Sequence, residues 1–179
     1  MESLIKNLEK VSLSGDDTLK IIEGKSNLIS YDQLKGVKHI KDIMKHGACI
    51  ILYLSEEHYG HWVCVFYRSN KLIEFFDAYG VSVDLEKDWV KKETQKKLGV
   101  CDNYLSRLLA NSGCEIEYNH HVFQKKNKSN ISTCGRWVAV RLMFRDLSLE
   151  EFAKLFPPNK KLLVDGDMLV TLMTTDFAK

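Results

Sequence analysis

Apolar positions along this chain change their spacing several times, and each change marks a new element. Leu4, Ile5, Leu8 and Val11 keep a helical spacing that Ser14-Gly15-Asp16-Asp17 interrupts. The same polar cluster offers capping groups for a second helix through Leu19, Ile21 and Ile22. Ile29, Tyr31 and Leu34 lead to a third amphipathic stretch, Val37, Ile40, Ile43 and Met44. The pattern then switches to short continuous apolar runs, Cys49 to Leu54, Trp62 to Tyr67 and Leu72 to Phe76, each of which predicts a buried strand. Arg68-Ser69-Asn70-Lys71 is a turn-type cluster, so the last two runs should pair as an antiparallel hairpin. If the loop centres on Ser69, His61 faces Asp77; centred half a residue later, Asp77 faces Trp62 with His61 beside it. Either register brings an imidazole and a carboxylate to one end of neighbouring strands, with opposed Cβ atoms about 5 Å apart.

Asp84 to Gly113 predicts helix in two pieces, Leu85 to Leu98 and, after Gly99, Asn103 to Leu109. Glu115 to Gln124 reverts to strand, with Ile116, Tyr118 and Val122 alternating, and the polar stretch Lys125 to Ser132 predicts a loop. Trp137, Val138, Val140, Leu142 and Phe144 then predict a buried helix, with Ser132 and Thr133 as hydroxyl residues of the kind that cap helix starts. Cys134 falls in or beside its first turn, where outward-pointing backbone N–H groups favour thiolate over thiol. Asp146 to Phe152 carries a further helix-start signal, ending before Pro157-Pro158. The apolar tail from Leu162 to Thr175, with its turn at Gly166, predicts a last helix from Asp167.

Composition narrows the class without naming the chemistry. With 45% hydrophobic and 28% charged residues in a chain of 179, one globular domain is expected, and no run reaches the apolar length of a membrane span. A net charge of +2 is too mild to argue for nucleic acid. Lysines do cluster at Lys91-Lys92, Lys96-Lys97, Lys125-Lys126-Lys128 and Lys160-Lys161, which leaves a polyanion contact open against a solvated basic face. The five cysteines are odd in number, form no CxxC and follow no secretory leader, so a reducing, intracellular setting is expected.

Three of the predicted placements fit one chemistry. A thiolate nucleophile needs a base for its proton and a group that fixes the tautomer of that base; Cys134, His61 and Asp77 fill those places. An imidazole titrates near working pH, and a carboxylate against one ring nitrogen directs the other toward sulfur. The developing oxyanion of an acyl transfer could be met by the backbone N–H of Cys134 and a side-chain amide such as that of Gln124.

The words Gly60-His61-Trp62, Phe75-Phe76-Asp77-Ala78-Tyr79-Gly80, Gln124 and Thr133-Cys134-Gly135-Arg136-Trp137, in that order, resemble the adenovirus-endopeptidase and SUMO-protease superfamily of cysteine proteases. Within it they are most similar to the maturation proteases of virophages and Polinton (Maverick) elements, over about Asp16 to Phe152. The resemblance implies His61 as general base and acid, Asp77 as its orienter, Cys134 as nucleophile, Gln124 as oxyanion donor and Trp62 as a wall of a narrow substrate channel. It implies an α+β fold with a central mixed, largely antiparallel sheet flanked by helices, a papain-like core and the nucleophile at a helix N-terminus. The corresponding domain is 1–179, with a helical flank at 1–46, a catalytic core at 47–144 and C-terminal helices at 145–179. The activity implied is that of a monomeric thiol endopeptidase without a resident cofactor. It would cut capsid or other viral precursors after small residues such as Gly, in the host cytoplasm (the virus factory) and the virion. The adenovirus enzyme is similar also in using an activating peptide and DNA, but no motif of this chain answers to either.

Ten positions separate Gln124 from Cys134, more than in SUMO-cleaving relatives, so the intervening loop must bulge or Asn119, His120 or His121 must replace Gln124. The same residues would also serve a deubiquitinase or deSUMOylase isopeptidase, or an effector-type acetyltransferase. Outside this chemistry stand a zinc-binding module built on His58, His61, His120 and His121, and a binding protein that keeps only the shell of a protease.

Overall fold

Strands form where apolar residues run without interruption. The computed structural model describes residues 2–124, 132–156 and 165–177. In chain order its helices and strands begin with α1 (Glu2–Leu8), α2 (Gly15–Ile21), β1 (Asn27–Ser30), β2 (Ala48–Glu56), β3 (Tyr59–Ser69) and β4 (Leu72–Phe76). They continue with α3 (Lys92–Leu98), α4 (Tyr104–Ala110), β5 (Glu115–Tyr118), α5 (Cys134–Met143), α6 (Leu149–Lys154) and α7 (Gly166–Met173). The fold is α+β, with a five-stranded mixed sheet in the order β1-β2-β3-β4-β5. Its two central pairings are antiparallel and its edges, β1 on β2 and β5 on β4, are parallel.

The chain divides into two compact units. One, Lys25–Asp77 and Val81–Asn119, holds the whole sheet. Alternate residues of its strands, Cys49, Ile51, Val63, Val65, Ile73 and Phe75, share one face and pack with Tyr31, Leu34, Leu105, Leu108 and Leu109. Each such side chain removed from water contributes about 1.5–3 kcal/mol. The other unit, Met1–Gly24, Ala78–Gly80 and His120–Lys179, is helical. Its α5 is buried on every side from Gly135 to Leu142, with Arg136 and Arg141 among the buried side chains.

Two capping boxes stand where polar clusters announced helix starts. Ser14 Oγ accepts from the Asp17 amide while Asp17 reaches back to Ser14 at the head of α2, and Ser148 with Glu151 does the same for α6.

Elsewhere the structure corrects the sequence reading. The stretch from Val37 to Met44 contains a short 3₁₀ turn at Ile40–Ile43, because its apolar residues recur every three positions, the 3₁₀ period. β1 is an unforeseen strand of four residues ahead of it. The segment from Leu85 to Leu98 is broken into a 3₁₀ turn, Leu85–Trp89, and α3. Buried Gln95 donates to the carbonyls of Lys87 (2.6 Å) and Val90 (2.8 Å), closing off the first turn. β5 ends at Tyr118 rather than Gln124: the next residue, Asn119, meets the backbone of Asp77 with its side-chain amide, accepting from its N–H (2.9 Å) and donating to its C=O (2.7 Å). Most of the expected loop from Lys125 to Ser132, the prolines at 157 and 158 and the start of the tail at Leu162 lie outside the described residues.

Candidate active site

His61 is held by two carboxylates and by its own strand, all within the sheet unit. The β3–β4 hairpin turns over Asn70-Lys71 with a bulge beside Ser69, and its ladder pairs Cys64 with Phe76 and Val65 with Phe75. Continued by one residue, that register sets Asp77 opposite Val63, two residues on from His61 and one from Trp62, the two partners read from the sequence. The turn centres between Asn70 and Lys71 rather than on or just after Ser69, which accounts for the shift; the bulge beside Ser69 takes back one step of it. Asp77 and His61 are therefore diagonal neighbours on one face, a separation that side chains of this length span. His61 Nε2 lies 2.9 Å from Asp77 Oδ1. The Asp77 side chain is fully buried and that of His61 is 12% exposed.

Asp77 is itself fixed. Asn119 grips its backbone, and the Val81 amide donates to Oδ2 at 3.3 Å. Gly60, one residue before the histidine, makes the close approach of β3 to β2 feasible, since a Cβ there would stand 1.8 Å from the Tyr53 carbonyl oxygen. Gly80 has φ +65° and leaves room for the His121 carbonyl, 2.8 Å from where a Cβ would sit. Two glycines of the motif words thus have steric reasons.

A second carboxylate, unforeseen from the sequence, reaches the same imidazole: Glu86 Oε1 is 3.3 Å from His61 Nε2 and its side chain is 5% exposed. It sits on the 3₁₀ turn Leu85–Trp89, which is anchored on both sides. Asp84, in the left-handed region at φ +66°, accepts from the hydroxyls of Tyr31 (2.7 Å) and Tyr53 (2.9 Å) and from the Ser106 amide (2.9 Å). Lys87 donates to Asn103 Oδ1 at 2.8 Å. Desolvation, reinforced by the Asp84 charge, pushes both tyrosine hydroxyls well above their ordinary range. Tyr53 is also the cross-strand partner of His61, so this network and the imidazole share one strand position.

In the helical unit Cys134 is the first residue of α5 and is partly exposed. Thr133 stands at the N-cap, yet its hydroxyl does not cap the helix. It donates to Asp167 Oδ1 at 2.6 Å, and the same oxygen accepts from Trp137 Nε1 at 2.9 Å, so a buried carboxylate on α7 clasps the first turn. Arg136, fully buried, donates to Thr174 Oγ1 at 2.6 Å and to the carbonyls of Leu8 and Val11, each at 3.4 Å. Desolvation lowers its pKa from the usual guanidinium value. Trp137 packs edge-on against Phe152 and Phe156, with Phe123 completing the cluster.

Of the other expected site residues, Gln124 is buried in the helical unit. Its backbone N–H donates to the Ala78 carbonyl (2.9 Å), and its side-chain Oε1 finds no hydrogen-bond partner among the described residues. Trp62, next to His61 on β3, is partly buried and packs at the edge of the sheet unit's core. Asn119 uses its side-chain oxygen and one amide N–H on the backbone of Asp77, while His120 and His121 are exposed. Among the remaining cysteines, Cys49 and Cys64 are buried, and burial pushes the Cys49 thiol up to about 12. His58 is exposed beside Glu57, so within its unit His61 is grouped with Asp77 and Glu86 rather than with another histidine.

No helix among the described residues is long and apolar enough to cross a membrane. No family model matches the chain. Over 172 residues it is 34% identical to uncharacterized protein V9 of Sputnik virophage, a match that covers 95% of this chain and 98% of that one. Identity of that extent, running essentially end to end in both proteins, places the chain in the same family as the virophage protein V9.

Proposed function

We propose that this protein is a cysteine endopeptidase with a papain-like core, in which Cys134 is the nucleophile, His61 the general base and acid, Asp77 the orienter of His61, and Gln124 an oxyanion donor. The observation that carries the reading is the buried His61–Asp77 pair, Nε2 to Oδ1 at 2.9 Å. A carboxylate at Nε2 holds the ring proton there and leaves Nδ1 as the nitrogen that accepts from a thiol. Placement of Cys134 on the first residue of α5 supports the nucleophile assignment, because backbone N–H groups at a helix start stabilise a thiolate and a developing oxyanion.

In this reading the Cys134 thiol gives its proton to His61 Nδ1, and sulfur attacks the scissile carbonyl carbon. The oxyanion is met by the Cys134 N–H and the Gln124 amide. Nδ1–H protonates the departing amine as the C–N bond breaks, leaving a thioester. A water then loses its proton to Nδ1 and attacks the thioester carbon, which releases the acid and restores the thiol. Trp62 forms a wall of the channel that admits small residues such as Gly before the cut. Kinship with a virophage protein makes viral structural precursors, cut during particle maturation in the host cytoplasm and virion, the substrates to test first.

The test is mass-spectrometric mapping of new chain termini after incubation with the major capsid precursor of the same genome. Discrete cleavage after small residues, lost in Cys134→Ala, is expected. Full turnover by the alanine variant would overturn the nucleophile assignment. Labelling of Cys134 by a ubiquitin-type vinyl sulfone, or acetyl-CoA turnover without peptide cleavage, would replace the endopeptidase by an isopeptidase or an acetyltransferase.

A further inference from the structure

His61, Asp77 and Glu86 present three ligand atoms that all lie within 4.8 Å of one another. Both carboxylate oxygens converge on a single ring nitrogen, Nε2, at 2.9 and 3.3 Å. One N–H cannot make two full hydrogen bonds, so orienting the imidazole uses only one of these carboxylates. Both carboxylates are also withdrawn from water, with side chains 0% and 5% exposed.

We propose that these three residues form a binding site for a divalent transition metal, of which Zn²⁺ is the best match. One imidazole nitrogen and two carboxylate oxygens are a ligand set zinc accepts when a fourth position is left to water, whereas Mg²⁺ and Ca²⁺ favour oxygen alone. Around a tetrahedral zinc with bonds of about 2.0–2.2 Å, neighbouring ligand atoms stand about 3.3–3.6 Å apart. The Glu86–His61 distance already matches, Asp77 stands a few tenths of an ångström too close to the ring nitrogen, and all three ligand atoms stay within 4.8 Å of one another. The supporting shell is in place as well: Asn119 and the Val81 amide steady Asp77, and the Asp84 and Lys87 contacts brace the turn that carries Glu86.

Metal and catalysis exclude each other at this ring. Zinc takes the lone pair of Nε2, and the ring's one remaining proton then resides on Nδ1, which can no longer accept a proton from a thiol. The loaded protein is a latent form; that consequence alone rests on the endopeptidase reading.

Binding is measured in the Cys134→Ala protein, where the candidate nucleophile cannot act as a ligand, by titrating ZnCl₂ against a chromophoric chelator. One zinc per chain is expected, with affinity about 10- to 100-fold weaker when Glu86→Gln is added and no site binding when His61→Ala is added. Absence of stoichiometric binding, or an unchanged affinity in Glu86→Gln, overturns the proposal. Co²⁺ loading of the unsubstituted chain gives a second readout that needs no further variant. Tetrahedral d–d bands without a sulfur-to-metal charge-transfer band are expected, and a charge-transfer band that disappears in Cys134→Ala would put the metal on the thiol instead. The outcome is separable from that of the peptidase test, since zinc is read in a protein with no nucleophile and cleavage in a protein with no metal.

Discussion

His61 and Cys134 are fixed by opposite strategies. The imidazole stands on a sheet strand and is gripped by side chains that arrive from elsewhere in its unit: Asp77 just past β4, Glu86 on a 3₁₀ turn, with Asn119 behind Asp77. The thiol is held by its own helix, whose first turn is clasped by one carboxylate of α7 through Thr133 and Trp137. The first arrangement orients a ring between charged side chains, and the second sets a backbone direction by packing. Substitutions in the two units should therefore fail differently, the former in chemistry and the latter in folding.

The largest effect on chemistry is expected from Asp77→Asn. It keeps the shape of the side chain but can present an N–H to Nε2, favouring the wrong tautomer. Turnover should fall by about 10²- to 10⁴-fold with little loss of thermal stability. An unchanged rate would mean that Asp77 does not orient the base.

In the helical unit the sharpest contrast is Asp167→Ala. It strands the buried Thr133 hydroxyl and Trp137 indole N–H without their acceptor, a cost of about 2–4 kcal/mol, and denaturant melts should report it. Stability close to that of the parent would show that the clasp on α5 is dispensable.

Much of this contrast was legible from the chain, and the illegible part has a pattern. Continuous apolar runs marked β2, β3 and β4, and polar clusters with a carboxylate three residues after a serine marked α2 and α6, because these signals are local. The residues that complete the candidate site are not local. Glu86 read as one more polar position of a helix, Asn119 as part of a strand, and Asp167 as a helix start, although each is a buried group whose partners lie far along the chain. The hairpin was foreseen but its register was not, since its turn falls on Asn70-Lys71, later than the Ser69 centre read from the cluster, and the bulge beside Ser69 recovers only one step of the difference. Thr133 has the right side chain for a cap, yet a carboxylate 34 residues away takes its hydroxyl.

A smaller effect, confined to the sheet unit, concerns alkaline pH. Burial raises the folded-state values of Tyr31 and Tyr53 above those of an unfolded chain, so the unfolded state releases these protons first. Their contribution to stability is complete below about pH 10 and is lost as pH rises toward the folded values. Urea midpoints should drop between about pH 9 and pH 11, and less steeply when both are changed to Phe. Equal slopes would remove these tyrosines from the anchoring of Asp84.

The smallest effect is at Ser14, at the head of α2. The Ser14 hydroxyl chiefly holds the Asp17 carboxyl below its usual value, so that contribution is present above about pH 4 and fades as pH falls through the folded value. Ser14→Ala should cost about 1 kcal/mol at neutral pH, read from thermal melts, with turnover unaffected. A change in turnover would tie α2 to the chemistry.

The joint action of the two differently held groups is read most directly from the rate at which iodoacetamide alkylates Cys134 as a function of pH, followed by mass spectrometry in the parent and in His61→Ala. If His61 activates the thiol, Cys134 reacts well below the ordinary thiol range of about pH 8.5 and faster than exposed Cys101, and loses at least about tenfold of that rate without the imidazole. An ordinary thiol profile that is the same in both proteins would contradict it.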